Sequence, residues 1–304
     1  MNYNGRKHLE ACLSSALEAA RAYGEPCPVV VLDNQSTDPD AAFIRGRFPE
    51  VRVEPAPAND ILFSYNWLLP RMEEEIILIL NNDMRFDRDF IRPLIGHFRD
   101  PEVFAVTARV KNWEGTQVTT GRRLGYFHHF WFYKRWEFDV RKPCLTLDAG
   151  GGCAAFRRDR VLELGGFDTL FRPGYSEDTD LSYRAWQRGW KVVYEPASVI
   201  YHKIGATLGD MLSGDEGRTR LIRRNEVLFA VKNCGGTAFL AGYLLFLPFR
   251  ALRSFFSNRP LTRGILDALP RIPAALAARF REGPKKAVRD KEFLRRIQNE
   301  RAFS

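Results

Sequence analysis

The chain has 304 residues, 45% hydrophobic and 27% charged, enough apolar material to bury a core and too much for general disorder. Its formal net charge of +9 sits wholly in the tail: from Arg250 onward there are 14 Lys or Arg against 5 Asp or Glu, which leaves 32 of each sign in residues 1–249. A basic tail on a neutral body suits an anionic membrane surface; nucleic acid is not an expected partner, because no DNA- or RNA-binding motif accompanies the basic residues.

In chain order, residues 1–5 read as a loop, and Leu9, Leu13, Leu17 and Ala20 then recur at helical spacing until Gly24 and Pro26. Residues 29–32 predict a buried strand that ends in Asp33, Asn34, Ser36 and Asp38. A short helix is expected over 40–48, a short strand over 51–53 and a helical segment over 59–72 that stops at Pro70. Residues 76–80, five apolar residues in a row running into Asn81, Asn82 and Asp83, predict a strand buried on both faces. A helix over 89–98 and a strand over 103–108 follow. Residues 111–147 are less regular and rich in aromatics, most of them read as packing and a minority as the wall of a ligand groove. A helix over 158–164 and strands over 191–195 and 199–201 complete this part.

Strands alternating with helices predict a doubly wound α/β sheet, and ligands collect outside the carboxyl ends of such strands. Asn81-Asn82-Asp83 can be a simple turn, or the place where a divalent metal and its phosphates would sit. Neither GxGxxG nor GxxxxGK[ST] occurs, so phosphate charge would have to be met mainly by a metal. Gly150, Gly151 and Gly152 let the backbone approach a ligand closely, or make a tight turn. Glu177, Asp178 and Asp180 place three acids in four positions: a helix start favours them as caps, and their mutual repulsion suits a general base. His202 stands at the end of the last strand. Five cysteines without a CxxC pair argue against a disulfide framework or a zinc site and agree with a reducing cytosol.

Together LDNQSTD, LILNNDMRF, AGGGCAAFRRDRVLELGGFD, SEDTDLSYRAWQRGW and VIYHKIGAT resemble the family 2 glycosyltransferases, especially rhamnosyltransferase-like bacterial members, over residues 4–209. The resemblance implies a GT-A fold with a Rossmann-like nucleotide-binding half and a mixed sheet, a nucleotide-sugar donor (dTDP-rhamnose or a UDP-sugar), Mg2+ or Mn2+, and inversion at the anomeric carbon. It implies Asp33 at the nucleotide base with Ser36 and Asp38 in the same loop. It puts Asn81 and Asn82 in the DxD-type motif with Asp83 as metal ligand, and His202 as the second ligand. Asp178 would be the base with Glu177 as its acidic neighbour, and Gly151 and Gly152 would border the acceptor. Two departures stand out. Family members usually carry a strand directly before the Tyr-Asn-Gly found here at residues 3–5, so exposed sheet edges, an open pocket wall and about ten further residues upstream of Met1 are expected. Ile61 and Tyr65 stand where the family tends to have glycines.

Beyond Gly209 the resemblance thins. Residues 218–232 read as a basic amphipathic helix, and the apolar run 237–249 is short for a membrane span but suits a helix in the membrane interface, flanked by Arg250 and Arg253. Packing of this helix on the catalytic part is the alternative. The expected organisation is a GT-A domain over 1–212, interface helices over 213–256 and a basic helical tail over 257–304. The expected activity is transfer of a sugar to a hydroxyl of a lipid-linked or polysaccharide acceptor at the cytoplasmic face of the membrane. A catalytically inactive membrane-associated scaffold and a metal-dependent phosphotransferase are the competing readings.

Overall fold

The computed structural model describes residues 1–37, 40–203, 214–282 and 286–300. Among them the elements run in the order expected for an α/β chain: α1 (Arg6–Tyr23), β1 (Val30–Asp33), α2 (Asp40–Arg47), β2 (Arg52–Pro55), α3 (Tyr65–Leu68), β3 (Ile76–Leu80), β4 (Met84–Phe86), α4 (Ile91–Gly96) and β5 (Val103–Asn112). After these come β6 (Val118–Thr120), β7 (Arg122–His128), β8 (Trp131–Glu137), β9 (Cys144–Leu145), β10 (Cys153–Arg157), α5 (Arg158–Glu163), α6 (Glu177–Gln187) and β11 (Lys191–His202). Five helices close the chain: α7 (Gly214–Asn233), α8 (Thr237–Ser257), α9 (Arg259–Ala268), α10 (Ile272–Glu282) and α11 (Asp290–Asn299).

A mixed sheet in the order β3-β10-β5-β11-β4 carries the molecule, with β6 on β5 and β9 on β11. The parallel β5–β11 pair is the centre, and β10 runs antiparallel between β3 and β5. The two short strands expected at 191–195 and 199–201 are one long strand, β11, whose register shifts between Glu195 and Val199. That irregularity hides the strand's continuity in the sequence.

The parallel pair β1–β2 stands apart from this sheet. Between β1 and β3 lies an apolar cavity of about 450 Å3, walled by Val29–Leu32, Ile76–Leu80 and the inner face of α1. Only its carboxyl-end mouth is bridged: Asn2 pairs in parallel with Asp33, and the Met1 nitrogen donates to the Leu80 carbonyl at 3.2 Å. The cavity divides the interior. Leu9, Leu13 and Leu17 of α1 pack with Val31, Ile44 and Phe48 on one side, whereas Cys12, Ala16 and Ala19 belong to the main core on the other. The sheet edges and open wall expected from the sequence are thus features of the structure. For the same reason β3 is not buried on both faces: Ile77 and Ile79 are buried, while Ile76, Leu78 and Leu80 are half-exposed along the cavity.

Residues 111–147, expected to be irregular, hold the hairpin β7–β8, paired without interruption from Arg122↔Glu137 to His128↔Trp131. Its two turn residues, His129 and Phe130, both have positive φ (43° and 55°). Such turns are normally announced by Asn-Gly or Asp-Gly, so neither residue type betrayed the hairpin.

The C-terminal segments separate into two kinds. The second half of α7 is core, with Val227, Leu228, Phe229, Ala230 and Val231 buried, and α11 docks on the domain through Phe293, Leu294 and Ile297. Phe293 stacks on Trp186 at 5.6 Å, and the buried Arg122 guanidinium donates to the Ile297 carbonyl. The basic tail is therefore a set of packed helices through residue 300. Helix α8 differs: Tyr243, Leu247 and Ser254 are buried, while Leu245, Phe246, Phe249, Leu252, Phe255 and Phe256 are exposed. Its apolar stretch continues past residue 249 into a 21-residue helix, long enough to cross a membrane by length and composition.

Candidate active site

The carboxyl ends of β1 and β3 meet at Asn2. Its amide nitrogen donates to Asp33 (3.4 Å), Ser36 (3.2 Å) and the buried Asp40 (2.9 Å), and its oxygen accepts from Asn82 Nδ2 at 2.7 Å. Asp33 is half-buried and also accepts from the Ser36 hydroxyl and amide. The predicted Asp33–Ser36 loop and the Asn81–Asp83 turn thus share one rim. Asp38 lies outside the described residues. Asn82 is spent on Asn2 and holds the turn in place, whereas Asn81 faces the glycine loop: its backbone N–H donates to the Gly152 carbonyl at 3.1 Å. Asn2 and Asp40 are the residues that sequence reasoning missed here. A loop asparagine and a helix-start aspartate carry no distinctive signal, and only the fold brings them together.

Asp83 and His202 converge because β4 and β11 are antiparallel neighbours in which His202 pairs with Met84. Asp83 Oδ2 lies 3.3 Å from His202 Nε2, and the Lys203 amide donates to the Asp83 carbonyl at 3.0 Å. One carboxylate and one imidazole side by side fit a divalent cation. No cluster of three or more His, Cys, Asp or Glu suited to a metal forms among the described residues. The protein offers two ligands, and phosphate oxygens and water would have to supply the rest, as they commonly do for Mg2+.

The glycines connect this end to the acids of α6. A methyl group on Gly152 would overlap the Asn81 amide, and one on Gly151 would touch Leu62 and lie 3.7 Å from Asp178 Cβ and 4.0 Å from Glu177 Oε1. Small residues are needed here because the turn after β3 and the start of α6 approach from both sides. Asn81, Gly152, Gly151 and Asp178 therefore form a spatial row.

The three acids of α6 have different fates. Asp180 is fully buried and bound by Arg184 (2.8 Å), Lys232 (2.7 Å) and Asn233 (2.7 Å). Burial alone would raise its pKa, but Lys232 and Arg184 outweigh it and hold the carboxyl below its ordinary value. Asp180 fastens α6 to α7 and is remote from solvent. Burial first, and then the charge of Asp148, push the Asp178 carboxyl above the usual carboxylate range; burial and Asp178 do the same to Glu177. The N-cap residue, Ser176, makes no side-chain cap hydrogen bond, and Asp178 Oδ1 accepts from the Thr179 amide of the first turn at 2.6 Å, so the start of α6 also favours this acid. Asp148, whose sequence position gave no hint, is held by Arg123 (2.8 Å) and Thr179 (2.6 Å) behind Asp178. Glu177 Oε2 is buried and meets no hydrogen-bond partner among the described residues, a cost of about 1–3 kcal/mol that an incoming hydroxyl would offset.

Beyond the acids opens a cavity of about 470 Å3, walled by Glu177 and Asp178, by Trp131, Tyr133, Lys134 and Trp136 of β8, and by Arg223, Glu226 and Arg250. The aromatics of 111–147 thus divide as expected, some packing the core and some lining a groove. Ile61, in the segment that departs from the family pattern, has a positive φ of 50°, where glycine is at ease and a β-branched residue is rare. Asn34 Nδ2 donates to the Ile61 carbonyl at 3.0 Å and holds this backbone in place.

The profile of the family described as "Glycosyl transferase family 2" matches residues 1–165. The chain belongs to glycosyltransferase family 2. It is 26% identical over 245 residues to N-acetylglucosaminyl-diphospho-decaprenol L-rhamnosyltransferase of Mycobacterium tuberculosis, covering 70% of this chain and 78% of that one. Among solved structures it is similar to the mannosyltransferase PcManGT of Pyrobaculum calidifontis in complex with GDP-Man and Mn2+, with a TM-score of 0.54, 18% identity and coverage of 93% and 77%. It is also similar to S. aureus TarS 1–349 in complex with UDP-GlcNAc, with a TM-score of 0.56, 16% identity and coverage of 90% and 79%. These likenesses establish the α/β GT-A-type fold, and the family makes this family 2 chain a glycosyltransferase.

Proposed function

We propose that this glycosyltransferase is an inverting, divalent-metal-dependent enzyme that moves a sugar, rhamnose being the first candidate, from a nucleoside-diphosphate donor to a hydroxyl of a lipid-linked acceptor at the inner face of the membrane. The observation that carries the reading is the row from Asp83 and His202 through Asn81, Gly152 and Gly151 to Asp178 and Glu177. It sets one carboxylate and one imidazole, which would hold the cation, on one side of a glycine loop and a pair of raised-pKa carboxyls on the other.

On this reading Asp33 and Ser36, with Asp38, face the base and ribose of the donor. Asp83 and His202 hold the cation, which when bound would neutralise charge on the departing diphosphate. Asp178 takes the proton of the acceptor hydroxyl as its oxygen approaches the anomeric carbon from the face opposite the leaving group. A carboxyl raised by burial is a better base than an ordinary one. Asn81, in place of an acid, leaves the cation site with one negative charge fewer, so metal and donor bind together; tight Mn2+ binding in calorimetry without nucleotide would contradict this. The rhamnosyltransferase relative supports rhamnose and a lipid-diphosphate acceptor.

The exposed apolar face of α8, with the exposed Arg253 on the same helix and the exposed Arg259 just after it, supports contact with an anionic membrane surface. Its opposite face is docked on the protein: Tyr243 stacks on Trp131 at 4.8 Å and Ser254 meets Thr262 at 2.7 Å. That favours a helix lying on the membrane over one that spans it.

The deciding experiment incubates the protein with a panel of nucleotide sugars, Mn2+ and an alkyl-diphosphate-linked N-acetylglucosamine acceptor, and assigns the anomeric configuration of the product by NMR. Transfer with inversion, lost in Asp178→Asn, is expected. Failure to turn over any donor would leave the inactive scaffold as the better reading.

A further inference from the structure

The cavity beside Asp178 has more cations than it uses. Of the four in its wall, Arg123 is committed to Asp148 at 2.8 Å. Arg223 pairs through Nη1 with Glu226 at 2.8 Å, but its Nε is buried and has no hydrogen-bond partner among the described residues. Arg250 forms no ion pair or hydrogen bond with any described residue: its guanidinium lies flat on Trp131, 3.3 Å from the ring centroid, and its Nε is likewise buried and unpartnered. Lys134, half-buried on β8, has neither ion pair nor hydrogen bond among the described residues. Buried guanidinium donors are almost always satisfied in folded proteins, and each one left open costs about 1–3 kcal/mol. Two unpartnered guanidinium donors, on Arg223 and Arg250, and the Lys134 ammonium, whose charge also bears on Glu177 and Asp178, give this cavity the donor set of a phosphate site, where arginine forks meet anionic oxygens.

Position narrows the ligand. Asp178 and Glu177 stand in the same cavity wall, and Arg250 projects from the docked face of α8, at helical spacing with Tyr243, Leu247 and Ser254 and one position after the exposed Phe249. A molecule in the cavity therefore meets the two carboxyls and the cations together. We propose that Arg250, Arg223 and Lys134 bind the phosphate or diphosphate of the acceptor, so that the enzyme selects acceptors whose reacting hydroxyl lies about one sugar away from a phosphate ester. This rests on the glycosyltransferase reading above and assigns to that site the part of the acceptor it recognises. Glu226 remains on Arg223 and orients it, leaving Nε for the ligand.

The test compares kcat/KM for two soluble acceptors, octyl N-acetylglucosaminide and its octyl-diphosphate counterpart, in wild type, Arg250→Gln and Lys134→Gln. Wild type is expected to prefer the diphosphate by at least tenfold, and each variant to lose most of that preference through a raised KM for the diphosphate acceptor. Lys134→Gln guards against the case in which Arg250→Gln merely loosens α8. Equal use of both acceptors by wild type, or an equal loss on both in the variants, overturns the proposal. So does an effect confined to binding of anionic vesicles with the diphosphate preference intact, which would assign Arg250 to a bilayer headgroup. Calorimetry with inorganic pyrophosphate, without metal or donor, gives a readout independent of turnover. Binding weakened at least tenfold in Arg250→Gln but not in Asp83→Asn supports the site even if no donor is turned over, and the reverse pattern places the anion at the donor end and overturns it.

Discussion

At the scale of single residues, the acids of α6 show how burial assigns roles that spacing leaves open. Glu177, Asp178 and Asp180 are near neighbours in sequence, yet only Asp180 meets buried cations. Asp180→Asn is expected to destabilise the fold by about 3 kcal/mol, because Lys232 and Arg184 would remain buried with less compensation; urea denaturation measures this. Asp178→Asn should instead leave stability intact or improved and lower kcat by about 10²–10⁴-fold, the usual worth of a general base. Glu177 predicts a pH effect. Its folded-state pKa is pushed up to about 8 by burial and by Asp178, so the folded protein keeps the proton where the unfolded chain has lost it. Its contribution to stability is full in acid and is lost as pH rises from the ordinary glutamate range through about 8. Glu177→Gln, a permanent mimic of the protonated form, should match wild type near pH 4 and exceed it increasingly toward pH 8 in Tm. A constant difference across that range would refute the assignment.

At the scale of elements, the gap between β1 and β3 is the feature with the largest consequence for stability. Two strand edges face an apolar cavity of about 450 Å3 that is closed only at Met1 and Asn2. An apolar extension placed ahead of Met1, about as long as the five-residue β3, is expected to enter this gap parallel to both strands and bury its side chains between the two cores. Each Val- or Leu-sized side chain so buried contributes about 1.5–3 kcal/mol, so a rise in Tm of at least about 5 °C is expected; an unchanged Tm, or an extension that stays protease-sensitive, contradicts it. The hairpin β7–β8 makes the complementary point. It supplies the aromatic wall of the acid-lined cavity, but with His129 and Phe130 at its turn it lacks the residues by which hairpins are recognised.

At the scale of the whole molecule, the charge excess and the apolar excess are in the same place but are not the same feature. Helices α9, α10 and α11 are held by buried residues such as Ile265, Ala275 and Phe293, so the tail's basic residues decorate packed helices. Among the described residues only α8 presents a continuous apolar face outward. Phe249→Glu with Leu252→Glu should reduce co-sedimentation with anionic lipid vesicles at least tenfold, as expected if each side chain contributes about 1.5 kcal/mol or more of burial, while the soluble diphosphate acceptor is still turned over. Equal sedimentation of the variant and wild type would remove the membrane from the proposed function.

The alternation of strand and helix, the acids at strand ends, the three-glycine loop and the family itself are determined by the sequence alone, because each depends on local order: an apolar run of five, a carboxylate directly after it, glycines where backbone must come close. What only the tertiary structure decided depends on neighbours far apart in the chain. Asp83 meets His202 because β4 lies against β11. Asn2 ties Asp33 to Asn82 because β1, after α1, returns the chain to Asn2 and β3 ends beside it, and Asp180 parts company with Asp178 because α7 brings Lys232 to one and not the other. Arg250 reaches the cavity of Asp178 only because α8 folds back onto Trp131. The pairing partner sets the charge state and the role of an ionisable group, and partners far away along the chain leave no mark on local sequence.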